Sequence, residues 1–208
     1  MCIRDSSHPR RVVLGLLGGI ASGKSTVSRV LTSQAGARIV DADALARETL
    51  DACARDGRLV EALGPWAVGK GGAPDRREIA RRVFDDPGLL RSLERLTHPA
   101  VHARIMEAID EHRAGTGPSL LVLDVPLLLE SGLDRTCDAL WFVDAPDAER
   151  FVRAKERLGL AREEVVKREA AQTPVARKRA RADVVLQNSG SLEDLERQVT
   201  AALRGLIA

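Results

Sequence analysis

The segment Gly18-Gly19-Ile20-Ala21-Ser22-Gly23-Lys24-Ser25 spells G-x-x-x-x-G-K-S, and it constrains this chain more than any other feature. It follows an apolar run, Val12-Val13-Leu14-Gly15-Leu16-Leu17, and opens into a helical pattern, Thr26-Val27-Ser28-Arg29-Val30-Leu31. That strand–loop–helix setting is the one in which the motif cradles a polyphosphate. Its glycines let the backbone turn tightly and aim N–H groups inward. Lys24 adds a mobile ammonium that can reach the β- and γ-phosphates, and Ser25 offers a hydroxyl to magnesium. The helix presents the positive end of its dipole to the same anion. The nucleotide-contacting set read from the motif is Gly18, Gly19, Ile20, Ala21, Ser22, Gly23, Lys24, Ser25 and Thr26, with ATP and Mg²⁺ as the expected ligands. A glycine-rich turn that binds nothing would leave Lys24 without purpose.

Strand and helix patterns alternate along the rest of the chain. Arg11–Leu17, Ala37–Val40, Ser119–Asp124, Ala139–Val143 and Asp183–Leu186 read as strands. The first and third are almost continuously apolar and so should be buried on both faces. Helical patterns cover Lys24–Ser33, Ala44–Ala54, Asp147–Leu158, Arg162–Ala171 and Leu192–Ile207. Between Gly57 and Gly115 there is no strand signal. Helices are expected there at Asp75–Phe84, Pro87–Leu96 and Pro99–His112, with Asp75 and Thr97 as caps and Pro99 in a first turn.

The expected fold is therefore α/β, a parallel five-stranded sheet flanked by helices with a P-loop NTPase-type core. Residues 11–208 form one domain: a core of 11–56, 116–145 and 182–208, a helical insertion at about 57–115, and a helical lid at about 146–181. Residues 1–10 join no pattern and read as a leader or an early start.

Composition narrows the class. A hydrophobic share of 44% supplies a core, but with no tyrosine and 2% aromatics it must be built from Leu, Val, Ile and Ala. There is no unbroken apolar run of bilayer length and no apolar signal segment. Cys2, Cys53 and Cys137 show no paired spacing and read as reduced thiols of a cytoplasmic protein. Net charge is +2 overall, yet Pro146–Arg181 holds eleven Lys/Arg against six Asp/Glu, a net of +5. That stretch is a candidate anion-facing surface. Phe151 is its only aromatic, which argues against a nucleic-acid platform.

Ligands bind at the C-terminal edge of parallel strands. Asp124 ends the third strand, where an acidic residue can hold the Mg²⁺ shell; a cap before Pro126 is the other reading. Asp43 follows the second strand and is the candidate general base for a hydroxyl that accepts a phosphoryl group. Its alternative is to cap the helix at Ala44. Asp41, two residues earlier, would share a face with Asp43 if the segment were extended, and could support it. His98 and His102 are four apart, but they lack the companions of a zinc site. Arg150, Arg153 and Arg157 share a helix face, and Arg177, Lys178, Arg179 and Arg181 follow. Most of these read as solvated surface, with one or two closing over ATP.

Beyond the loop, Asp41-Ala-Asp-Ala-Leu-Ala-Arg47, Asp75-Arg76, Leu96-Thr-His-Pro99, Asp124-Val-Pro-Leu-Leu-Leu-Glu130, Arg157, Gln172 with Pro174 and Lys178, and Ala182-Asp183 through Asn188-Ser-Gly190 follow in order. Together they resemble the dephospho-CoA kinase family from Arg11 to Gly190. The resemblance implies transfer of the ATP γ-phosphate to the ribose 3′-hydroxyl of dephospho-CoA, with Asp43 as base and Arg157 as a lid cation. It places Asn188 in a loop near the adenine. It implies a small-molecule substrate, no nucleic acid or membrane partner, and a monomer or weak homo-oligomer. Three positions depart from the family pattern: Leu17, where Thr is common; Ala21, where Gly is common; and Gln187, where an acidic residue is frequent. A P-loop kinase for another nucleoside, nucleotide or small metabolite is the alternative, and a nucleotide-dependent RNA-binding module a more distant one.

Overall fold

The apolar run that precedes the loop forms strand β1, Val12–Gly18, and every residue of it is buried. Alternate side chains serve opposite faces of a pleated strand. Val12, Leu14 and Leu16 pack on one side with Val27, Val30 and Leu31 of α1, Lys24–Ala35, and with Leu195, Val199 and Leu203 of the closing helix, Leu192–Ile207. On the other face Gly15 is hemmed in by Leu128, Leu140 and Cys137, which a Cβ there would meet at 3.0 Å or less. A strand buried on both faces must be central, and β1 is the middle strand.

In a computed structural model describing residues 11–115 and 117–207, the sheet has the order β2-β3-β1-β4-β5. Its other strands are β2, Arg38–Asp41; β3, Leu120–Asp124; β4, Ala139–Asp144; and β5, Val184–Gln187. β1 runs parallel to β3 and β4, and β4 parallel to β5. The expected five-stranded parallel sheet flanked by helices is the observed fold. The leader expected at residues 1–10 lies outside the described residues.

By its contacts the chain falls into two compact units, one of residues up to Val40 with those from Glu111 onward, the other Asp41–Asp110. The first holds the sheet and the helices α6, Asp147–Leu158, α7, Arg162–Ala170, and α8, Val175–Arg181. The second is helical: α2, Ala42–Arg55, α3, Arg58–Leu63, α4, Arg76–Asp85, and most of α5, Pro87–Arg113. The sequence reading grouped α2 with the core; by contacts it lies in the second unit. That unit has a core of its own, in which Leu50, Cys53, Leu59, Leu63, Ala67 and Ile79 are buried against Trp66, Val83, Leu89, Leu93 and Leu96. The Arg82 guanidinium lies 4.4 Å over the Trp66 ring. Asp75 caps α4 as expected, accepting from the Glu78 N–H at 3.0 Å.

Two helices were expected on either side of Thr97 and His98, yet α5 runs unbroken through both, with Pro99 in its interior. Thr97 is not a cap: its hydroxyl donates back to the Leu93 carbonyl at 2.9 Å, and the residue is buried. Proline in a helix interior removes one backbone bond. Here the apolar stripe of Leu89, Leu93 and Leu96 is followed by buried Ile105, Ala108 and Ile109, so side-chain burial on both sides of Pro99 holds the helix. Helices α3 and α8, short and flanked by Gly57 and Pro174, were not foreseen.

Candidate active site

The phosphate loop begins where β1 ends. Gly18 and Gly19 admit no side chain: a Cβ on Gly18 would press on the Ser22 hydroxyl and the Val143 carbonyl, and one on Gly19 would strike the Arg150 guanidinium. Gly23 sits in the left-handed region at φ 106° and begins α1 with no side-chain cap. The first N–H groups of α1 thus face the loop rather than a neighbouring side chain. Ala21 also has a left-handed backbone, at φ 57°. It is the one non-glycine residue with positive φ among those described.

The loop is braced from three sides. Asn188, just beyond β5, donates from its side-chain amide to the Ser22 carbonyl at 2.7 Å, and its own backbone N–H donates to Asp144 at 2.7 Å. At the apex, the Ile20 N–H donates to Glu169 Oε1 at 2.7 Å while Arg150 donates to the Ile20 carbonyl at 3.0 Å. Arg150 and Glu169 are themselves paired at 2.6 Å, and Arg150 also reaches Asp147 at 2.7 Å. Burial opposes the Arg150 charge, but these carboxylates more than offset it and hold its pKa above the usual value. Ile20 and Ala21 then pack on a small apolar cluster of Ala154, Leu160, Val165 and Phe151 from α6, α7 and the turn between them.

The basic stretch is therefore not all solvated surface, as the sequence suggested for most of it. Arg150 and Lys178 are buried, while Arg157, Arg177, Arg179 and Arg181 are exposed. The Lys178 ammonium donates to the Gln172 side-chain oxygen at 2.7 Å. Burial lowers its pKa and the nearby Lys24 charge adds to that, opposed by Glu130 and Glu169. Glu130 accepts from the Thr173 backbone. Burial opposes its charge, yet hydrogen bonding to Thr173 holds its pKa below the usual carboxylate value. Glu169 was missed by the sequence reading, since one acidic residue among several in α7 carries no local mark. Arg157 lies in the last turn of α6.

Of the acidic candidates, Asp124 ends β3, the neighbour of β1, and is partly buried. Ser25 is exposed in the first turn of α1. Their oxygen donors suit a hard cation that takes most of its ligands from phosphate and water. No group of three or more His, Cys, Asp or Glu placed to hold a metal occurs among the described residues.

Asp41 and Asp43 do not share an extended face. The strand stops at Asp41, which caps α2 by accepting from the Ala44 N–H at 2.9 Å. Asp43 is in the first helical turn and exposed. The capping role weighed for Asp43 thus belongs to Asp41, leaving the Asp43 carboxylate outside the cap.

The dephospho-CoA kinase family model matches residues 12–194. A dephospho-CoA kinase of Deinococcus radiodurans is 47% identical over 96% of this chain and 94% of its own length. One of Thermus thermophilus is 44% identical over 97% and 94%. Among solved structures, TT1252 from Thermus thermophilus superposes with a TM-score of 0.78 at 42% identity, covering 96% of this chain and 100% of its own. A gluconokinase from Sinorhizobium meliloti, at 17% identity and a TM-score of 0.51, shares the fold alone. With the phosphate loop intact in its strand–helix setting and the match running from β1 into the closing helix, the chain belongs to the dephospho-CoA kinase family.

Proposed function

We propose that this chain transfers the γ-phosphoryl group of ATP to the ribose 3′-hydroxyl of dephospho-CoA, giving CoA and ADP, the last step of coenzyme A biosynthesis. The observation that carries the reading is the family match over residues 12–194, within which the phosphate loop is complete.

In this reaction the 3′-hydroxyl gives its proton to the Asp43 carboxylate as its oxygen bonds to the γ-phosphorus. The bond from that phosphorus to the β–γ bridging oxygen breaks, and ADP leaves with the electron pair. Lys24 and the loop amides hold the charge that gathers on the phosphoryl oxygens, the largest expected electrostatic contribution. Arg157 approaches from the lid, about 146–181, which excludes water and so limits ATP hydrolysis. Ser25 and Asp124 would hold Mg²⁺, which when bound neutralises charge on the β- and γ-phosphates. Asn188 reaches the nucleotide side through its loop, and the insertion, about 57–115, forms a wall for the CoA-like substrate. The enzyme so read acts on a free small molecule in the cytoplasm, as a monomer or weak homo-oligomer.

A coupled ADP-release assay tests this, with Mg·ATP and a panel of acceptors that includes dephospho-CoA, nucleosides and gluconate. Turnover with dephospho-CoA at least a hundredfold above the others is expected, roughly the discrimination available to a site built to hydrogen-bond its substrate. If dephospho-CoA is inert while another acceptor turns over, the acceptor assignment is wrong.

A further inference from the structure

An ammonium group taken out of water needs acceptors or an opposite charge to replace its hydration. Lys178 is 3% exposed. Of its three donors, one is used on the neutral side chain of Gln172, and among the described residues Lys178 forms no ion pair. The carboxylates nearest in influence are committed elsewhere: Glu169 to Arg150 and the Ile20 N–H, Glu130 to the Thr173 backbone. A second ammonium, Lys24 of the phosphate loop, is near enough to repel it. Lys178 is carried by α8, which packs against β1, the strand that ends in the phosphate loop. A buried ammonium with two of its three donors unused among the described residues thus stands on the element next to that loop, where an anion would satisfy it. The neighbours Arg177 and Arg179 on the same helix are exposed and need no such explanation.

We propose that Lys178 is a second phosphate-contacting ammonium, which binds the phosphoryl tail of the nucleotide opposite Lys24 and stabilises it during transfer. Gln172 acts as its positioning residue, fixing the ammonium through the 2.7 Å hydrogen bond. The inference rests on the reading of the loop as a triphosphate site, and it holds whichever acceptor receives the phosphoryl group. It adds a buried lysine to the lid charge that the exposed Arg157 supplies.

The test is Lys178→Met, measured in the whole chain by titration calorimetry with ATP, ADP and AMP, by ADP release with dephospho-CoA, and by thermal unfolding without ligand. The expected result is a loss of ATP affinity of tenfold or more, AMP affinity within about threefold, and turnover reduced about a hundredfold or more. The unliganded melting temperature should stay level or rise, because the variant replaces a poorly partnered buried charge with an apolar side chain of similar length. Gln172→Leu should weaken ATP binding less than Lys178→Met does.

ATP affinity and turnover within threefold of the parent would overturn the proposal. So would an equal loss of affinity for ATP and AMP. If Lys178→Met does not fold, Lys178→Gln is read by the same criteria. Failure of both to fold makes Lys178 a structural residue and ends the proposal. Should the parent bind ATP yet leave dephospho-CoA unphosphorylated, the acceptor reading fails while the ATP-to-AMP comparison still decides Lys178.

Discussion

Arg150 and Glu169, paired at 2.6 Å, hold the two ends of one peptide residue between them: Glu169 takes the N–H of Ile20 and Arg150 takes its carbonyl. The apex of the phosphate loop is thus tied to α6 and α7 by charged side chains that are almost out of water. A loop whose N–H groups must be preorganised for an anion gains from such bracing, because an unbraced loop would have to be ordered when the ligand binds.

Breaking that pair should be expensive. Arg150→Ala leaves the mostly buried Glu169 carboxylate with only the Ile20 N–H to balance its charge and the Ile20 carbonyl without its donor, and losses of about 3–5 kcal/mol are typical for one-sided removal of a buried pair. We expect chemical denaturation to show a loss in that range, together with a rise in KM for ATP larger than the fall in kcat. A loss below about 1 kcal/mol would mean that the loop is braced mainly by its apolar contacts with Phe151, Val165 and Leu160.

The loop and base assignments make a second prediction. Lys24→Ala and Asp43→Ala should each reduce turnover a hundredfold or more, on the order expected for losing a charged stabiliser or a general base. Lys24→Ala should also weaken ATP binding, whereas Asp43→Ala should leave it nearly unchanged. An Asp43→Ala rate within a few-fold of the parent removes the carboxylate from the mechanism.

Ala21 offers a subtler test. A left-handed backbone at a non-glycine residue costs about 1–3 kcal/mol. Ala21→Gly relieves that strain but gives up a methyl packed on the Ala154, Leu160 and Val165 cluster, worth about 0.8 kcal/mol, and frees the unfolded chain by about 0.4–1 kcal/mol, so gains and losses are of similar size. Unfolding measurements should find the variant within about 1 kcal/mol of the parent. Ala21→Val places a β-branched side chain in the same backbone region and should lose about 2 kcal/mol or more, with weakened ATP binding. Equal stabilities for all three would contradict the positive φ.

His112 makes stability depend on pH. It is 2% exposed, and burial, with help from Arg11, lowers its pKa below the usual value of about 6.5. The folded chain therefore keeps this imidazole neutral at a pH where the unfolded chain has protonated it. The unfolded state binds more protons, so stability rises with pH. The contribution is complete above about pH 6.5 and is lost as pH falls below that value. Denaturation midpoints from pH 8 to pH 5 should decline in the parent and decline less in His112→Gln; parallel curves would assign the acid sensitivity to other groups.

Much of this architecture is legible in the chain. The unbroken apolar runs of β1 and β3 announce strands buried on both faces, and Gly23-Lys24-Ser25 after β1 announces the loop, because those features are local and their physics is local. Asp75 could be read as a cap for the same reason. What failed were readings in which local propensity met distant packing. Pro99 looks like a helix start, but the buried stripe on either side of it carries α5 through. Asp41 looks like a companion of Asp43 on one extended face, and only the point where β2 ends makes it the cap of α2 instead.

The sequence by itself determined the parallel sheet, the phosphate loop and the family, since each depends on residues adjacent in the chain or on their order along it. Only the tertiary structure decided which cations matter. By local pattern Arg150 looks no different from Arg153 or Arg177, and the order of motifs that includes Lys178 and Arg157 does not say which of the two is buried. Burial is set by the packing of α6, α7 and α8 against the loop, and burial is what raises the strength of a charge and demands a partner for it.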